Sequence, residues 1–115
     1  METFILVLKL IASAATVATG LLALIKPTAI YGFTGMRAES PRGITEIRSI
    51  FGALFIALGL VPILIRDDKL FAMLGIVYLA IAIVRAISMF LDKSVEKSNI
   101  ISLVTEVVLG IILVL

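Results

Sequence analysis

Apolar residues fall along this chain in four blocks, roughly 4–25, 44–65, 70–91 and 100–115, with polar or turn-rich segments between them. Each of the first three has about the 20 residues an α-helix needs to cross a ~30 Å hydrocarbon core at 1.5 Å per residue. The fourth is shorter. It requires local thinning, little tilt, or a start a residue or two earlier at Ser98 or Asn99, either of which serves as a predicted N-cap. The pattern predicts an all-α fold, an integral membrane four-helix bundle of up-down-up-down topology, occupying residues 1–115 as one four-span domain. The short connections Arg66 to Lys69 and Asp92 to Asn99 make spans two and three, and three and four, antiparallel neighbours.

The first connection, Lys26 to Gly43, is the longest and most irregular. Pro27, Gly32, Gly35, Pro41 and Gly43 interrupt any continuous helix there, leaving a short interfacial turn over Thr28 to Phe33 that dips Tyr31 and Phe33 toward lipid. Such a segment is either a surface connector or a lid over one end of the bundle.

Composition strengthens the membrane reading. Of the 115 residues, 62% are hydrophobic and 16% charged, whereas a soluble domain is about half apolar and a quarter charged. Mean hydropathy is +1.26. The first block competes with a signal peptide, but Met1 to Thr3 carries only the acidic Glu2, Lys9 interrupts the run, and the apolar stretch outruns a cleaved h-region. A retained first helix is the expectation. Cysteine and histidine are both absent, which removes disulfides, thiolate chemistry and imidazole ligands, so no cofactor is predicted and haem or zinc is disfavoured.

The small net charge of +2 bears on topology. Lys26, Arg37 and Arg42 follow span one, and Lys93 and Lys97 follow span three, against Arg66 and Lys69 on the other side. Positive-inside bias therefore predicts a multi-pass protein of the cell membrane with both ends outside and the first and third connections cytoplasmic. No basic face with interleaved aromatics is present, so nucleic acid is not an expected partner.

Two features address packing and chemistry. Ala14 and Ala18, with Ser13 and Gly20 nearby, face a second span that offers Gly52, Ala53, Ala57 and Gly59, and close approach of these spans is predicted. Arg85 and Glu106 are placed symmetrically about the hydrophilic break, each about six positions, or roughly 9 Å, inside its span. Ionisable groups at such depth seek a partner away from lipid. Glu46 and Arg48 enter from the same side, giving four ionisable groups that sum to zero charge. Ser102 lies one turn from Glu106, Ser49 near Glu46, and Tyr78 two turns from Arg85. These seven residues form the candidate ligand-binding or polar core. The alternative is a structural staple between spans three and four.

The run Glu46, Ile47, Arg48, Ser49, Ile50, Phe51, Gly52, then Arg85, then Thr105 and Glu106, resembles a family of small bacterial four-helix membrane proteins of the DUF4345 type, a domain of unknown function related to the DoxX-like superfamily. The likeness covers most of residues 44–115. Ala53 replaces the second glycine of that family's first motif, and Val84 the glycine before the third-helix arginine. The resemblance implies a four-helix fold with an Arg and Glu core and no particular activity.

Two functions follow as expectations. One is binding or transport of a small amphipathic or anionic molecule at the Arg/Glu cluster, with Arg48 and Arg85 attracting it; the other is a non-catalytic assembly or chaperone subunit. Membrane lipid is the expected surrounding partner, with a homodimer or another membrane protein as further partners. Enzymatic action ranks last, because no nucleophile motif, phosphate loop or metal-ligand spacing is present.

Overall fold

The structure is a computed structural model that describes every residue from Met1 to Leu115. Its regular elements are all helical: α1 (Glu2–Ile25), a 3₁₀ turn (Pro27–Ile30), α2 (Tyr31–Thr34), α3 (Pro41–Glu46), a π-helical stretch (Ile47–Ala53), α4 (Leu54–Ile65), α5 (Asp68–Leu91) and α6 (Lys97–Val114). Four helical runs, Glu2–Ile25, Pro41–Ile65, Asp68–Leu91 and Lys97–Val114, are long and apolar enough to cross a membrane, as in a multi-pass membrane protein.

Each run starts two or three residues before its apolar block, because the first turn of a helix accommodates polar residues that cap it. Ser40 Oγ accepts from the Gly43 amide at 3.1 Å, and Asp67 Oδ1 from the Lys69 amide at 2.9 Å. The last helix departs from the sequence expectation. Its N-cap residue is Glu96, whose side chain makes no capping bond, and Ser98 and Asn99 lie within its first turn. Asn99 cannot cap because its side chain is bonded elsewhere.

Packing divides the chain into two compact units, Leu10–Arg66 and Asp67–Leu115 with Met1–Lys9. In the first, α1 runs antiparallel to Pro41–Ile65 at backbone contact. A Cβ on Gly20 would stand 2.7 Å from the Gly52 carbonyl oxygen, and one on Gly59 would stand 2.5 Å from that of Ser13. The predicted close approach therefore runs through the glycines, whereas Ala14, Ala18, Ala53 and Ala57 are exposed. Positions 13, 16, 20 and 23 share one face of α1 and are buried; 14 and 18 are rotated off it. Beneath the first connection, Ala23, Ile30 and Ile47 form a small core flanked by Ala38 and Phe51. Tyr31 and Phe33 are exposed, and the Arg37 guanidinium sits 4.6 Å over the Tyr31 ring.

In the second unit α5 and α6 pack antiparallel, Gly75 against the Gly110 carbonyl and Gly110 against the Leu79 side chain. The turn between them is a Schellman closure. Lys93 takes a left-handed φ of 53°, so the Ser94 amide reaches back to the Met89 carbonyl at 3.0 Å. At the other end of α5, Lys9 is buried, with Nζ 3.7 Å from Asp68 Oδ1 and 5.9 Å above the ring of the fully buried Phe71.

Candidate functional site

A connected network of polar side chains lies between α5 and α6. Arg85 Nε donates to Glu106 Oε1 and Nη2 to Oε2, both at 2.8 Å, a bidentate pair of the kind planar guanidinium and carboxylate groups favour. Arg85 Nη1 donates to Asn99 Oδ1 at 2.8 Å. Asn99 Nδ2 in turn donates to the Ser94 carbonyl at 3.0 Å and to Ser94 Oγ at 3.3 Å. A continuous ladder thus runs from Glu106 to the α5–α6 turn.

Helical period builds that ladder. Asn99, Glu106, Gly110 and Leu113 recur at seven, four and three residues on one face of α6, and the last three are buried. The Gly75–Gly110 contact brings the two backbones close enough for a single side chain from each to meet. Glu106 is 8% exposed, while the Arg85 side chain keeps 31%. A guanidinium carries five N–H donors, and three are used here, so two remain.

Arg85 borders a shallow groove of about 540 Å³ that is open over most of its extent. Ala80, Ile81 and Val84 line its apolar part; Arg85, Ser88, Asp92, Ser94 and Asn99 line the rest. Charge at the site is nearly balanced, since Glu106 already matches Arg85, leaving the exposed Asp92 carboxylate without an ion pair.

The other expected core residues stand differently. Glu46 bonds to Arg42, one turn before it, at 3.2 Å, with both side chains largely exposed. Arg48 and Ser49 lie exposed in the π-helical stretch. Arg42 and Glu46 are spaced as opposite charges on one helix pair, four residues apart. Tyr78 is buried on α5 two turns before Arg85, and Ser102 is half-buried on α6 outside the ladder. Asn99 and Ser94 are members that sequence reasoning missed. The available signal was the seven-residue spacing from Asn99 to Glu106, which places both on one face.

A family model described as DUF4345, domain of unknown function, matches residues 4–115. The chain belongs to the DUF4345 family. No curated protein and no solved structure matches it. In this DUF4345 chain no group of three or more His, Cys, Asp or Glu side chains is gathered to hold a metal ion. The site offers hydrogen-bond donors and acceptors beside an apolar wall, a combination suited to holding an amphiphile.

Proposed function

We propose that the chain is a non-catalytic membrane protein that binds a small amphipathic molecule in the groove along α5, with Arg85 and Glu106 as its polar core. The carrying observation is the groove itself: an apolar wall of Ala80, Ile81 and Val84 continuing into Arg85, which retains two free N–H donors, and Ser88. Pockets for small molecules are mostly apolar with a few placed polar groups, and this one has that makeup. We place the chain among bacterial DoxX-like membrane bundles, in the cell membrane with both ends outside, on the resemblance and on the distribution of Lys and Arg. Transport is an extension of the same reading, in which the bound molecule passes along the groove.

Native mass spectrometry of gently extracted protein tests the reading. Wild type is expected to carry a small amphiphile, and Val84→Trp, which fills the groove from an exposed position, is expected to lose it with helicity unchanged. An equal load on both proteins would exclude the groove. A retained membrane protein partner with no small molecule would instead support the assembly role.

A further inference from the structure

The groove is polar at one end and apolar at the other, and its lining positions on α5 keep that order along the chain. Ala80, Ile81 and Val84 are followed by Arg85, Ser88 and Asp92, two adjacent rows of positions on one side of the helix. Ile81 and Asp92 are about 16 Å apart along the axis at 1.5 Å per residue. Asp92 is the C-cap residue at the polar end of the span. A phospholipid lying beside α5 has the same sequence of groups, hydrocarbon first, then phosphate, then the head-group substituent.

Charge selects the head group. Glu106 holds Arg85 in a bidentate pair, so the guanidinium offers two N–H donors but no unmatched positive charge. Asp92 contributes a carboxylate that has neither an ion pair nor a side-chain hydrogen bond. Lys93, next in sequence, and Lys97, at the start of α6, are exposed and do not line the groove. Arg85, Glu106 and Asp92 together carry one net negative charge. A net anionic head group would meet Asp92 without a spare cation, whereas a zwitterion satisfies both ends. Its phosphate accepts from Arg85 and Ser88, and its ammonium approaches Asp92. A primary ammonium also donates N–H to the carboxylate, which a quaternary one cannot do.

We infer that the groove along α5 takes a zwitterionic phospholipid of the surrounding bilayer with a primary-amine head group, phosphate at Arg85 and Ser88 and ammonium at Asp92. The inference rests on the groove reading above and adds the ligand's chemical class. Purified full chain, equilibrated in mixed micelles holding equal amounts of phosphatidylethanolamine, phosphatidylcholine and phosphatidylglycerol with matched acyl chains, is examined by native mass spectrometry. Wild type is expected to retain phosphatidylethanolamine about threefold over each of the others, the scale of one exposed ion pair. Asp92→Asn is expected to abolish that preference while still retaining phospholipid, and Glu96→Gln, at an exposed position outside the groove, to leave it intact. A phosphatidylglycerol preference, or a phosphatidylethanolamine preference that survives Asp92→Asn, would overturn the head-group assignment and leave the groove reading standing. Retention of all three lipids that is indifferent to Val84→Trp would overturn both.

Discussion

The α1 pairing with Pro41–Ile65 and the pairing of α5 with α6 join long apolar helices by different means. In the first, glycines bring backbones into contact and no ion pair crosses between the two long helices. In the second, Gly75 and Gly110 do the same, and a buried carboxylate, a guanidinium and an amide are added. Glycine contacts set how near two helices come, through van der Waals packing that is strong only at short range. A bidentate ion pair sets in addition which residue faces which, because either charge left alone in an apolar setting is unfavourable. The polar group of the second pairing is also what gives its groove one polar end. Register and binding chemistry are thereby invested in the same side chains.

The largest expected effect breaks the polar pairing. Glu106→Leu puts an apolar side chain of similar size in place of the carboxylate and strips Arg85 of both bonds to it. Removing one partner of a buried pair costs about 3 kcal/mol at the lower end of the usual range, which applies here because the Arg85 side chain remains 31% exposed. Denaturation by sodium dodecyl sulfate, followed by helicity, reads the loss. A cost below about 1 kcal/mol would mean that the glycine contacts alone hold α5 to α6.

Much of this contrast could be read from the sequence, and its failures have specific causes. Hydropathy located all four long helices, since apolar stretches near twenty residues have few other uses. It missed their polar first turns, because capping residues such as Ser40 and Asp67 are hydrophilic yet helical or next to helix. The contact of Arg85 with Glu106 followed from matched depth about a short turn. Depth gave no sign of the pairing of Glu46 with Arg42, one turn away on the same helix. Asn99 was mistaken for a cap because its type favours both roles, and only the structure shows its amide bonded at both ends. The π-helical stretch Ile47–Ala53 left no mark in the hydrophobic pattern.

An intermediate effect is expected where the first pairing is tightest. In Gly59→Ala the new methyl group would lie 2.5 Å from the Ser13 carbonyl oxygen and 2.9 Å from the Val17 amide nitrogen, both backbone atoms that cannot rotate away. The helices must separate, at about 2 kcal/mol, a typical penalty for overfilling a packed contact. The same denaturant titration measures it. Because helix propensity favours alanine over glycine by about 1 kcal/mol, a neutral result would mean that the gain cancels a much milder clash. The α1 pairing would then not depend on its glycine notch.

The smallest effect, and the one of opposite sign, concerns Ser13. Its side chain is fully buried and Oγ has no hydrogen-bond partner, while its carbonyl oxygen is the atom nearest the Gly59 notch. A buried hydroxyl without a partner has given up its bonds to water and received none in return. Ser13→Ala removes that group and leaves the backbone contact in place, so stability should stay level or rise by up to about 1 kcal/mol. The titration midpoint would then move little or upward, whereas Glu106→Leu moves it sharply down. A comparable fall for Ser13→Ala would show that a hydroxyl hydrogen bond also holds α1 in place, and packing of small residues alone would no longer distinguish the two pairings.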